Sequence, residues 1–125
     1  MADQREQMLE DVRRYIEASE RLASGIKEFA AMNSEALRDI EGGMTLTESF
    51  RIRDSATWSR RVSLLLDDFE ARRRDTRSSI AAVLLSEGRS VTDVGRAFGV
   101  SHQLASRFAK GQSGSTRESS GGESD

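Results

Sequence analysis

Apolar residues recur between residues 9 and 40 at alternating intervals of three and four, the spacing of one helix face. The row keeps this seven-residue repeat without interruption, which is typical of a helix that packs along its length against another helix. It consists of Leu9, Val12, Ile16, Ser19, Ala23, Ile26, Ala30, Asn33, Leu37 and Ile40. A second row lies beside it and consists of Tyr15, Leu22, Phe29 and Ala36. The combined face is wide enough for a bundle of three or four helices.

The next part of the chain predicts a helix that folds back on the first. The repeat stops at Glu41, Gly42 and Gly43, and Thr45 or Thr47 can cap the helix that follows. A second amphipathic pattern then consists of Phe50, Trp58, Val62, Leu65, Leu66 and Phe69. Residues 51–57 are expected to be irregular and to split this helix. We therefore predict a hairpin over residues 1–69, whose exposed apolar rows meet a second subunit.

The last apolar pattern predicts two short helices joined by a tight turn at Gly99. The inward positions are Val91, Val94, Ala97 and Phe98 on the first helix and Val100, Leu104, Ala105 and Phe108 on the second. Gly99 suits the left-handed conformation of a helix end, and Gly95 is small where the helices would cross. Ser101 can cap the second helix. Upstream, residues 70–85 continue a helix that Gly88 ends, and Ser90 with Asp93 offers a capping box.

At these residues the stretch resembles the DNA-binding helix-turn-helix of bacterial transcription regulators. The resemblance rests on Gly95, Gly99 and the apolar spacing, and it is confined to about residues 78–110. It implies that the second helix, residues 101–110, enters the major groove and presents its outward residues to base edges. These base-contact residues are Ser101, His102, Gln103, Ser106 and Arg107. The residues expected to contact phosphates are Arg89, Ser90, Thr92, Arg96 and Lys110.

The distribution of charge favours the same end of the chain. Residues 1–69 carry 10 Lys and Arg against 14 Asp and Glu, a net charge of −4. Residues 70–117 carry 9 against 4, a net charge of +5, and the last eight residues add −3. The positive charge therefore lies in the segment where phosphate contact would require it. The arginine run at 72–77 is open to two readings, a solvated helix face or phosphate contact.

Composition limits the other classes of function. The chain of 125 residues contains no Pro and no Cys and a single His, which favours an all-α fold and leaves no thiolate metal site. We expect no metal, no cofactor and no enzymatic activity, because no nucleophile, ligand cluster or phosphate-binding Gly loop is recognisable. No apolar run suggests a membrane span, so we expect a cytoplasmic, nucleoid-associated protein. Residues 111–125, rich in Gly and Ser and acidic, are expected to be disordered.

The resulting prediction is an all-α protein with an N-terminal long-helix hairpin, residues 1–69, that serves as a dimerisation arm. A helix-turn-helix unit over residues 70–110 follows it. Its function would be sequence-specific binding of double-stranded DNA by a homodimer that regulates transcription. Two alternatives remain open at this point. One is a helical adaptor that binds another regulatory protein or a polymerase subunit, and the other is a DNA-organising or partition protein with little sequence preference.

Overall fold

The computed structural model describes residues 2–110, and it contains helices but no strands over that range. The five helices are α1 (Ala2–Glu41), α2 (Leu46–Arg53), α3 (Ser55–Ser86), α4 (Val91–Phe98) and α5 (His102–Lys110). The all-α prediction with a long N-terminal helix is therefore confirmed. None of the helices in residues 2–110 has an apolar stretch of the length needed to cross a bilayer. The predicted disorder of residues 111–125 concerns a segment outside the described residues.

The helix ends follow from local chemistry. Behind α1, Gly43 takes a positive φ of 110°, and the hydroxyl of Thr45 accepts a hydrogen bond from the Glu48 backbone N–H at the start of α2. Asp54 adopts the left-handed conformation between α2 and α3, which a short polar side chain tolerates better than most. The predicted split of the second helix is confirmed at this residue. α3 then continues through the arginine run without interruption.

The described chain divides into two compact units. The first consists of residues 16–70, the two long antiparallel helix segments with α2, and we call it the hairpin. The second consists of residues 2–15 and 71–110. In this division residues 2–15 group with the C-terminal helices, whereas the predicted arm included all of residues 1–69.

A buried polar cluster explains why the start of α1 belongs to the second unit. The carboxylate of Asp11 is buried and accepts hydrogen bonds from Gln7 Nε2, at 2.9 Å, and from Ser79 Oγ. The hydroxyl of Thr76 donates to the Asp11 carbonyl oxygen at 3.2 Å. Because a buried carboxylate is costly unless it is hydrogen-bonded, these contacts fix the register of α1 against α3.

Within the hairpin, the row predicted as secondary is the one that packs inside. Its members Leu22, Phe29 and Ala36 are half-buried, and the buried residues Ala18, Gly25 and Met32, which were not part of the predicted row, lie on the same side of α1. The half-buried apolar residues of α3 in the hairpin are Trp58, Val62, Leu65 and Phe69. Gly25 lies so close to α3 that a Cβ there would be 2.3 Å from Leu65 Cδ1. The two helices therefore pack closely at Gly25. Most of the longer row, including Ile16, Ile26 and Ile40, is exposed within this chain, while Val12 and Ser19 are half-buried.

The core of the second unit is built where α3, α4 and α5 meet. Ala81, Val94 and Ala105 are completely buried, and Phe108 nearly so. The rings of Phe98 and Phe108 pack edge to face, with their centroids 5.3 Å apart, a favourable arrangement for aromatic pairs. One predicted inward residue is wrong: Ala97 is exposed, because it lies about 100° around α4 from Phe98 and so turns away from α5.

The contact between α4 and α5 depends on the absence of a side chain at Gly95. A Cβ there would lie 3.1 Å from the Val100 carbonyl oxygen and 3.4 Å from Ala105 Cβ. The expected need for a small residue at this crossing is confirmed. Gly99 ends α4 in the left-handed conformation, with φ of 68°, as predicted.

Replacing Gly95 by valine is expected to destabilise the second unit, because the added carbons meet backbone atoms that cannot move aside. We expect the free energy of unfolding to fall by about 1–3 kcal/mol, the usual cost of overpacking. The matched control is Ala97→Val on the exposed side of α4, which should cost no more than about 0.5 kcal/mol. Urea unfolding followed by circular dichroism measures both. Equal stability of the two variants would contradict the close contact.

Candidate nucleic-acid interface

The start of α5 is fixed by a side-chain cap. The hydroxyl of Ser101 accepts a hydrogen bond from the Leu104 backbone N–H at 3.1 Å, so the predicted cap is confirmed. From this point Ala105 and Phe108 turn into the core. The same helical turn leaves the residues between them on the opposite side, and the two faces of α5 are therefore set by the packing of its apolar residues.

The outward side of α5 carries the residues predicted to contact bases. Ser101, His102, Gln103 and Arg107 are exposed, and Ser106 is half-buried at the edge of this surface. Gln103 and Arg107 are four residues apart, so their side chains are neighbours on successive turns. We call the four exposed residues with Ser106 the α5 surface.

The α5 surface has the hydrogen-bonding groups that read base edges. The amide of Gln103 offers both a donor and an acceptor, which match the N6 and N7 atoms of adenine. The guanidinium of Arg107 offers parallel donors that match guanine O6 and N7 or a phosphate. His102 and the two serines add shorter groups that can donate or accept. These groups are suited to hydrogen bonding with the polar edges of bases.

The five residues assigned to phosphate contact are all exposed, but two of them have partners within α4. Ser90 forms a capping box: its hydroxyl accepts from the Asp93 N–H at 3.1 Å, and its own N–H donates to Asp93 Oδ2 at 3.0 Å. The Ser90 backbone N–H therefore already donates a hydrogen bond within the protein. Arg96 Nη1 lies 3.4 Å from Asp93 Oδ1. Arg89, Thr92 and Lys110 are exposed on the same unit.

The local charge around these residues is positive. Residues 89–110 contain four cationic side chains, Arg89, Arg96, Arg107 and Lys110, against the single carboxylate of Asp93. The hydrogen bond from the Ser90 backbone N–H, and then that from its hydroxyl, hold the pKa of Asp93 below its ordinary value, and the nearby arginines lower it further. Asp93 therefore stays ionised, and it offsets part of the positive charge at the start of α4.

The sequence did not indicate two interactions within this unit. The guanidinium of Arg77 lies over the ring of Phe108, 5.1 Å from its centroid, so at least one arginine of the run at 72–77 covers the core of the unit. Burial raises the pKa of Asp75, and the nearby charge of Asp11 raises it further. Neither interaction has a local sequence signal, because each involves residues that are distant along the chain.

Comparisons of the chain with protein-family models, curated proteins and solved structures return no match. The chemistry of the unit is therefore the basis for a functional interpretation. Its two relevant properties are the exposed amide and guanidinium of the α5 surface and the excess of positive charge around it.

Because the Asp93 carboxylate caps α4, the effect of Asp93→Asn on folding stability should depend on pH. A carboxyl group whose pKa is lowered on folding stabilises the folded state above its unfolded-state pKa, and this contribution is lost as pH falls through the folded-state pKa. The parent chain should be more stable than the variant at neutral pH, and the difference should disappear as pH falls through the lowered pKa of Asp93. Thermal unfolding at a series of pH values measures this. Asp67→Asn, the same charge change on the exposed side of α3, controls for the loss of one negative charge. A pH-independent difference for Asp93→Asn would refute the assignment.

Proposed function

We propose that this protein binds double-stranded DNA with sequence preference, using α5 in the major groove, and that it acts as a dimeric transcriptional regulator rather than as an enzyme. The observation that carries the proposal is the division of α5 into two faces. Ala105 and Phe108 are buried, while Gln103 and Arg107 are exposed on the other face of the helix. A helix held in this way can enter a groove without disturbing its own core.

The α5 surface accounts for sequence preference. A bidentate pair between a side chain and the right base discriminates by about 1–3 kcal/mol against the wrong base. Gln103 and Arg107 can each form one such pair on neighbouring turns. With His102 and Ser106 beside them, α5 would read a few consecutive base pairs.

The surrounding cations account for affinity. Phosphate contacts release counterions and supply most of the sequence-independent part of DNA binding. Arg89, Arg96 and Lys110 lie in the same unit as α5 and are exposed. The hydroxyls of Ser90 and Thr92 add neutral contacts of the kind that position a protein on the duplex.

The small size of α5, the helix proposed to read DNA, favours a dimer. One helix of nine residues contacts few base pairs, and proteins of this kind double the contact by binding two half-sites. The exposed apolar row of α1, which includes Ile16, Ile26 and Leu37, supplies a surface for association. The expected target is a palindromic or repeated DNA site.

A second candidate function is a protein-interaction adaptor that binds another regulator. The observation in its favour is the exposure of Leu46, Phe50 and Ile52 on α2, since apolar side chains grouped on one short helix are typical of contact surfaces. The adaptor needs no contribution from the α5 surface. The two functions therefore differ in whether that surface is required.

The double variant Gln103→Ala/Arg107→Ala tests the reading role directly. A binding sequence is first selected from a random DNA pool with the parent chain. Loss of both base contacts should then weaken binding to that sequence by about a hundredfold or more, while the helical content stays unchanged. The matched control is Gln4→Ala/Arg5→Ala, which removes the same side chains from exposed positions of α1. Fluorescence anisotropy measures both, and equal affinities would refute the role of α5.

Substitution of the residues assigned to phosphate contact should affect DNA affinity in a different way. Arg89→Ala and Lys110→Ala should weaken binding to all DNA sequences by similar factors. Each substitution should also reduce the slope of log K against log salt by about 1, because one fewer counterion is released. Titrations at several salt concentrations measure the slope. A loss confined to the selected sequence would contradict the assignment.

A further inference from the structure

The hairpin, residues 16–70, has one edge lined by ion pairs. Arg21 pairs with Asp68 at 2.7 Å, and Arg61 with Glu28 at 3.0 Å. The four residues occupy equivalent positions, since each directly precedes an interior residue of its helix: Leu22, Phe29, Val62 or Phe69. Glu35, which precedes Ala36, also forms an ion pair, with Arg53 of α2. We call this side of the hairpin the charged edge.

The opposite edge is uncharged from Ile16 to Leu37 on α1 and from Ser59 to Leu66 on α3, and Glu70, which directly follows Phe69, bounds it on α3. One residue is a rotation of about 100° around a helix, so residues that directly follow interior ones lie on the side away from the charged edge. On α1 they include Ala23, Ile26, Ala30 and Leu37, and on α3 Ser63 and Leu66. From Ile16 to Leu37 and from Ser59 to Leu66, no position that directly follows an interior residue is charged. We call this surface the uncharged edge.

The uncharged edge is open to solvent. Ile26 is 41% exposed, Leu37 56% and Leu66 45%. Exposed apolar side chains in a continuous row mark an association surface rather than scattered surface residues. The small residues Ala23 and Ala30 alternate with the larger ones, so another helix can approach closely at these points.

We propose that a second copy of this chain covers the uncharged edge, so that two hairpins form a four-helix bundle in which both α1 and α3 contact the partner. The proposal deepens the proposed function, which needs a dimer but assigns its contact only to the row on α1. Leu66 and Ser63 of α3 become part of the interface. The contact is isologous, because the same edge of each copy faces the other.

Charge favours a second copy as the occupant. A surface without charged residues is complementary to another uncharged surface, and the same edge of a second chain provides one. At the helical rise of 1.5 Å per residue the edge is about 33 Å long on α1 and about 12 Å long on α3, and each helix is about 10 Å wide. The footprint of roughly 450 Å² per partner lies in the range of small, reversible interfaces, below the roughly 800 Å² per partner of stable ones.

The test introduces the same charge on and off the uncharged edge of the full chain. Ala23→Glu/Ala30→Glu places two carboxylates on the edge, and Ser24→Glu/Ala31→Glu places them one residue further along α1, at exposed positions outside it. Sedimentation equilibrium without DNA measures association. The parent and the second variant should be dimers, and the first variant should dimerise about a hundredfold more weakly, because like charges would meet unpaired at the interface.

Leu66→Ala tests the contribution of α3 separately. This residue is exposed within one chain, so its truncation should leave the hairpin folded and weaken the dimer about tenfold, as loss of a central apolar contact does. This variant also keeps the test decisive if Ala23→Glu/Ala30→Glu loses helical content by circular dichroism. An unchanged dimer in Leu66→Ala contradicts the two-helix interface.

Two further outcomes would overturn the proposal. One is a parent chain that stays monomeric up to about 100 μM, well above the dissociation constants of stable interfaces. This result would mean that a second copy does not cover the uncharged edge. Equal association of the two glutamate variants would place the contact elsewhere. Because association is measured without DNA, its failure is distinguishable from failure of the proposed DNA binding, which is measured at Gln103 and Arg107.

Discussion

The packing of α5 against α4 and the end of α3 decides which of its side chains remain on the surface. A side chain at Gly95 would meet Val100 and Ala105, so α4 and α5 cross closely at this point. Leu104, Ala105 and Phe108 therefore stay inside, and the polar residues between them stay outside. The proposed reading of DNA uses side chains held in place by this core rather than by a flexible loop.

In the hairpin, the two edges rather than the interior determine which surface another chain can contact. Exposed ion pairs such as Arg21 with Asp68 contribute little to stability, because water screens them. Their effect is to make one edge charged and to leave the other, with Ile26 and Leu66, available for an apolar contact. An apolar interior holds the two helices together, and the chemistry of the edges then determines where another chain can pack.

Helix ends were predictable from sequence because their signals are local. Thr45, Ser90, Gly99 and Ser101 each act within a few residues, and each takes the predicted position. Which row of α1 lies inside the hairpin was not predictable, because both rows share the same seven-residue period and only the position of α3 distinguishes them. The exposed residues of α5 followed from its apolar spacing. The burial of Asp11 and the use of the Ser90 N–H by Asp93 depend on contacts in three dimensions.

The central claim, that α5 contacts DNA, is tested most directly by nuclear magnetic resonance. Amide chemical shifts of the full chain are recorded as a selected duplex is added. The account predicts that the largest shift changes lie between Ser101 and Arg107, with smaller ones near Arg89 and Lys110 and little change around Ser24 and Ala31. Shift changes confined to the hairpin, or none at low salt, would contradict it.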